Sequence, residues 1–253
     1  MKTIISIFIA LSFFKVSIAQ DTIQEMFGEA TTLMKSEQYG AAIEIFADVL
    51  KIAEREKVRK FSHIYKSQCH RYLGEYSQAI EEINKAIEMD EKDVLSFFDR
   101  IHIKEEMRDW SGVISDAEHI LSSDLTESQT GNAHYYIGTA LYFQGKYKKA
   151  LKSFTKSLKI QPNDVEVLYR MARAKEGLGD YESAISDYSS IIELNSTVIS
   201  AYIGRGNAKI MKIRKENNDI VVSIWARDAC SDFKKAKELG SNEVDVQLSL
   251  YCN

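Results

Sequence analysis

The 253-residue chain is short of most residues that punctuate or cross-link a fold. It has one proline (Pro162), 12 glycines and three cysteines. One proline excludes a collagenous or proline-rich extended architecture and leaves long helices uninterrupted. Three cysteines are too few for a small disulfide scaffold. The five histidines (His63, His70, His102, His119 and His134) form no pair at metal-ligand spacing, and neither a phosphate-cradling glycine loop nor a nucleophile elbow occurs. No metal, cofactor or catalytic residue is expected, and the chain reads as no enzyme. Pairs such as Glu81-Glu82 and Glu105-Glu106 read as solvated helix faces. Apolar runs long enough to span a bilayer, about 20 residues, are also missing.

The one sustained apolar run is at the start. Ile4–Phe14 covers 11 residues after a short basic Met1-Lys2-Thr3, and Ser17-Ile18-Ala19 places small residues where a signal peptidase cuts. Residues 1–19 therefore read as a removable leader, which leaves residues 20–253 as an exported chain, periplasmic or secreted, or else lumenal in a secretory pathway. The leader takes away Lys2 and Lys15 and no acid, so the remainder is more acidic than the −4 of the whole. That charge gives no support to a nucleic-acid partner. In a eukaryotic secretory pathway Asn195-Ser196-Thr197 would accept a glycan.

What the chain does have is a repeated phrase: a turn residue, an aromatic two positions on, a small or aliphatic residue three further, then an apolar one. It reads Gly74-Glu75-Tyr76…Ala79-Ile80, Gly145-Lys146-Tyr147…Ala150-Leu151 and Gly179-Asp180-Tyr181…Ala184-Ile185, with weaker copies at Tyr39…Ala42-Ile43 and Trp110…Val113-Ile114. Successive aromatics are separated by 37, 34, 37 and 34 residues. A period near 34 signals stacked helical hairpins, because one hairpin has too little apolar surface to fold alone. Within 131–164, Tyr135, Ile137, Gly138, Leu141 and Tyr142 recur at helical spacing; Gly138 admits a close neighbour, Gly145 ends the helix, Tyr147 wedges between the two helices, and Ala150, Phe154 and Leu158 line the return helix.

This spacing resembles the tetratricopeptide repeat, most specifically in 60–93, 131–164 and 165–198. The resemblance implies an all-α, right-handed superhelical solenoid of about six hairpins: units 23–56, 60–93, 94–127, 131–164, 165–198 and 199–243. A capping helix is expected over 242–251 with Asn242 as its cap. The last unit holds 11 residues more than the pattern, around Lys212 to Ile224, which predicts longer helices or a polar loop near Lys215–Asp219. Cys230 and Cys252 stand symmetrically about Ser241, so two antiparallel helices joined there would set them at one height. They are a disulfide candidate, with the rotation of each helix left open. Cys69, among apolar positions, reads as a buried thiol.

The resemblance further implies a non-catalytic protein-interaction scaffold whose first helices line a concave, peptide-binding face. The candidate contacts are Gln68, Arg71, Phe98, His102, Tyr135, Thr139, Tyr142, Tyr169, Arg170, Arg173 and Asn207. Tyrosine and arginine dominate binding hot spots because they bury much area with few rotors and keep a polar end. The family's clamp for chaperone tails is not matched. Its lysine position carries Phe27, Ile64, Phe98, Tyr135, Tyr169 and Ile203, and its asparagine position is filled only by Asn207. Alternatives within export are a chaperone-like holder of unfolded clients and a structural subunit of an envelope complex.

Overall fold

The computed structural model describes residues 21–217 and 226–252, and every regular element among them is an α-helix. The expected leader lies outside the described residues, as does the stretch 218–224. The chain divides into two compact units, one ending at Asp109 and the other beginning at Trp110. In the first, α1 (21–35) is followed by α2 (Tyr39–Ile52), α3 (Glu56–Tyr72), α4 (Tyr76–Met89) and α5 (Val94–Glu106). In the second, α6 (Trp110–Leu121) leads to α7 (Glu127–Phe143), α8 (Tyr147–Ile160), α9 (Val165–Gly177) and α10 (Tyr181–Leu194). The second unit closes with α11 (Ile199–Asn217), α12 (Arg227–Glu238) and the short α13 (Asp245–Tyr251).

The five aromatics of the repeated phrase are the first residues of α2, α4, α6, α8 and α10. The turn before each explains why. Gly74, Gly145 and Gly179 sit at φ 76°, 72° and 72°, and the next residue donates back to the preceding helix: Glu75 N–H to His70 O at 2.9 Å, Lys146 to Leu141 at 2.9 Å, Asp180 to Lys175 at 3.0 Å. This left-handed closure ends one helix and aims the next back along it. In the two weaker copies the same backbone hydrogen bond forms without glycine. Glu37 (φ 60°) and Arg108 (φ 58°) take the left-handed position, and Gln38 and Asp109 donate to Leu33 and Lys104 at 2.9 and 2.8 Å. A side chain there crowds its own carbonyl.

Within each unit the helices pack on their neighbours in chain order. The small residues of the phrase, Ala42, Ala79, Val113, Ala150 and Ala184, are fully buried, and so are the residues four further on, Phe46, Ile83, Ala117, Phe154 and Tyr188. Removing one such large side chain from water contributes roughly 1.5–3 kcal/mol. Close approach of α7 and α8 depends on Gly138, where a Cβ would stand 2.5 Å from the Phe154 ring. Tyr147 reaches further than a wedge between its own two helices: besides lying 5.6 Å from Tyr142, its ring fills the space where a Cβ on Gly177 would stand, at the end of α9 in the next hairpin.

The last hairpin absorbs much of its surplus as helix. At 19 residues α11 outruns the 13 of α9, which is the longer-helix alternative as far as Asn217, and Lys215 is helical and donates to Gly179 O at 2.9 Å. The cap also starts later than expected, at Asp245, with Val244 rather than Asn242 at its N-cap. Val244 is buried, and Leu248 and Tyr251 pack on the cluster of Tyr202, Ile210, Ala229, Phe233 and Ala236. Cys230 of α12 is joined to Cys252 by a disulfide with Cα atoms 5.4 Å apart. Cys69 is free and buried, and burial pushes its thiol up to about 11.

Relieving the left-handed side chains tests this account of the turns. Glu37→Gly and Arg108→Gly are each expected to raise the urea midpoint, by about 1 kcal/mol of stability. Gly138→Ala is expected to lower it by roughly 1–3 kcal/mol through overpacking against Phe154. Equal effects of glycine at an ordinary helical position would remove the turn explanation.

Candidate functional site

In the second unit the first helices of two successive hairpins, α7 and α9, bring together most of the residues singled out there. Both start from side-chain caps: Thr126 and Gln129 form a reciprocal capping box at α7, and Asp164 accepts from Glu166 and Val167 N–H at α9. Helical spacing then sets Tyr135, Thr139 and Tyr142 along α7, and Tyr169, Arg170 and Arg173 along α9. Tyr135 Oη donates to Glu166 Oε1 across the two helices at 3.3 Å. Arg170 donates to the same carboxylate at 2.9 Å and lies over the Phe143 ring at 5.7 Å. Arg173 bonds Glu176 at 2.7 Å, and Tyr169 leans on buried Tyr188 with ring centroids 5.8 Å apart. Tyr142 meets Phe143 edge-on at 5.2 Å.

These contacts fix what the surface offers. Tyr135, Tyr142, Tyr169, Arg170 and Arg173 are half-buried: each packs on one side and presents an edge on the other. Thr139, 1% exposed, lies beneath that surface rather than on it, because Tyr135 and Tyr142 flank it one turn away on either side. Burial raises the phenols of Tyr135 and Tyr169, against the pull of Arg170 and Arg173 respectively. Burial disfavours the charge of Arg170, but Tyr135 and Glu166 outweigh it and hold the guanidinium above its ordinary value. Arg173 is likewise raised against burial, by Glu176 above all. The carboxyl of Glu176 is itself pushed up by burial and pulled back by Arg173. Asn207, on α11, is half-buried and stands apart from this group.

In the first unit α3 and α5 carry the remaining candidates. Gln68 donates to both carboxylate oxygens of Asp99, at 3.3 and 3.4 Å. Arg71 bonds Glu106 at 2.7 Å and covers the Tyr72 ring at 4.7 Å. His102 Nδ1 is 3.6 Å from Glu105, and Phe98 is half-buried. Asp99 is held above its usual range by burial, with Gln68, His102 and Arg71 pulling it down.

Acidic partners are what the sequence reading missed. The i,i+4 and i,i+3 spacings to Arg170 and Arg173 would have revealed Glu166 and Glu176. A second set lies three residues after the small residue of the phrase, inside the apolar stripe: Glu82, Asp116 and Asp187, with Asp232 at the matching place in α12. Glu82 was expected on a solvated face but is 7% exposed, since the stripe of Ala79, Ile83 and Ala86 turns it inward. Its carboxylate takes His63 Nδ1 at 2.6 Å and Lys66 Nζ at 3.0 Å, both from α3. Burial alone would raise it, yet His63 and Lys66 draw it down to about 2. Lys175 of α9 lies 2.6 Å from Asp187. Asp232, 2% exposed, is gripped by Arg205 from Nε and Nη2 and by Lys209 at 2.8 Å, both on α11. A charged residue in an apolar stripe is the signal that a partner waits on the facing helix. Among the described residues no group of three or more His, Cys, Asp or Glu is arranged to hold a metal ion.

Known proteins share the repeat. Models of the tetratricopeptide repeat match residues 64–93, 131–164 and 165–197. Tetratricopeptide repeat protein 37 of Xenopus laevis is 28% identical over 139 residues, 55% of this chain but 8% of that protein, so the chain spans a small fraction of its relative. PilW, described as a widely conserved type IV pilus biogenesis factor, superposes with a TM-score of 0.69 at 14% identity over 90% of this chain and 98% of that one. YrrB, described as a repeat protein with an unusual peptide-binding site, gives 0.57 at 18% identity over 82% and 96%. Both structures share the fold of stacked helical hairpins.

The depressed carboxyl of Glu82 has a consequence in acid. Its stabilisation is complete above about pH 4.5 and is lost as pH falls towards about 2, amounting to no more than roughly 3 kcal/mol. Urea unfolding of the parent and of Glu82→Gln at pH 7 and pH 2.5 checks this: the two are expected to differ at pH 7 and to converge in acid. A gap that is constant with pH would remove the ionised pair from the account.

Proposed function

Because this chain is a tetratricopeptide repeat protein, we propose that it is a non-catalytic scaffold that captures an extended segment of a partner protein on the surface of its first helices. The observation that carries this reading is the row on α7 and α9, where Tyr135, Tyr142, Tyr169, Arg170 and Arg173 are half-exposed side by side. Aromatic edges there supply apolar area at little entropic cost, and the two arginines give register. Both arginines are already paired with carboxylates, so a partner's acidic group competes with Glu166 and Glu176 rather than meeting a bare charge. Such a surface discriminates: it accepts a segment that offers better geometry than the internal acids and resists indiscriminate anions.

The scaffold operates after export, with residues 1–19 removed. The leader pattern supports this, and so does the Cys230–Cys252 disulfide, a bond that persists in oxidising compartments.

A photoreactive residue in place of Tyr142, activated in cells, is expected to trap one or two specific proteins. Arg170→Glu combined with Arg173→Glu is expected to weaken capture of the trapped protein about tenfold or more while the helical melting temperature shifts little. Trapping of many unrelated unfolded proteins would favour a client holder. Stable co-purification in a fixed ratio would favour a structural subunit, and capture unchanged in the double variant would discard this surface.

A further inference from the structure

The first unit has a cleft apart from Gln68, Arg71, Phe98 and His102. It is about 410 Å³, lies between the start of α3 and α1, and is lined by Phe27, Phe61, Tyr65 and Val58, with Arg55 and Lys57 along one edge. A volume of that size accommodates a large side chain with its neighbours. Its floor is a fixed aromatic array: Phe27 and Tyr65 are 6.1 Å apart, Phe61 and Tyr65 6.5 Å, and Tyr65 is backed by fully buried Phe46, stacked at 5.4 Å. Phe61 is 38% exposed. Flanking it are Lys57 and Lys60, with their Nζ atoms 6.0 and 5.8 Å from the ring centre.

The charges of the cleft are of one sign. Arg55 and Lys57 are its charged lining residues, while Glu56, between them in sequence, lines a neighbouring cavity that shares Lys57 and Phe61 with it. Lys60 is occupied by Asp90 and Asp93, at 2.8 and 3.2 Å, but Lys57 is held by no carboxylate among the described residues. In a chain of net charge −4 this is a local reversal. The segment that precedes α1 carries Lys2 and Lys15 and no acid, so its charge mismatches the cationic edge.

The geometry points to a docking site for an acidic partner segment with an aromatic anchor: an internal phenylalanine-type side chain seated on Phe27, Phe61 and Tyr65, with a neighbouring Asp or Glu side chain meeting Lys57. The inference rests on the scaffold reading and gives it a partner chemistry. Long, flexible cations on one edge suit side-chain carboxylates of varied reach.

The test is calorimetric titration of the full chain with the amidated peptide acetyl-Asp-Glu-Phe-Glu-Asp-amide. Saturable one-to-one binding is expected. It should weaken about tenfold or more when the peptide's Phe is Ala, when its acids are Lys, and in Phe61→Ala or Lys57→Glu, with helical circular dichroism retained because both side chains lie at the surface. No binding, equal binding of the lysine peptide, unchanged affinity in Phe61→Ala, or binding only of a peptide with a free C-terminus would overturn the inference. The Arg170→Glu, Arg173→Glu variant separates the two surfaces: this peptide should bind it with unchanged affinity. Partner capture that depends on those arginines while the peptide fails to bind would sink the cleft alone.

Discussion

The fold depends on one contact made again and again: the ring that opens a return helix is covered by the hairpin that follows. Tyr39 stacks on Tyr72 at 4.9 Å, Trp110 on Phe143 at 4.4 Å, and Tyr147 presses on the glycine that ends α9. No hairpin can complete this contact by itself, since the covering residue belongs to its neighbour. Stability in such an array is therefore a sum of nearest-neighbour terms, and each hairpin is only as firm as the one that shields its leading ring. Small residues at the crossing points let the rings sit that close. The left-handed turns set where each ring begins.

A second pattern runs beneath the first. Acids at the same place in α4, α10 and α12 turn inward and meet cations from the preceding first helix: Glu82 with His63 and Lys66, Asp187 with Lys175, Asp232 with Arg205 and Lys209. Such pairs add little net stability against an apolar replacement, because two ions must leave water to form them. Their effect is on register. A return helix rotated by one residue would bury an acid against aliphatic side chains, and that costs several kcal/mol. Apolar packing holds the hairpins together and the buried pairs choose their rotation.

The helices were legible because both determinants of their ends are local. A turn residue, an aromatic two positions later and an alanine three after that suffice to set where α4, α8 and α10 begin. The partners of the charged side chains were legible only in part. Glu166 and Glu176 are a helical turn from the arginines they hold, so spacing alone could have named them. Glu82 and Asp232 meet groups 16–27 residues away, through a rotation about the helix axis that the period leaves open. Thr139 illustrates the same limit: its position in the repeat places it on the right face, but the depth to which it sinks depends on the tyrosines around it. The extra length of α11 reflects cooperativity, since a helix once nucleated continues through residues such as Lys212–Glu216 that favour it.

The bond between Cys230 and Cys252 alters how the second unit comes apart. A short helix packed on a single neighbour ordinarily opens first. Here α13 is seven residues long and none of its residues is fully buried, so by packing alone it would detach early. Tied to α12, it stays beside the helix that carries Phe233, a side chain in the centre of the core, even when its own packing opens. The bond thus limits how far α13 can separate from α12, and a reducing environment would remove that limit.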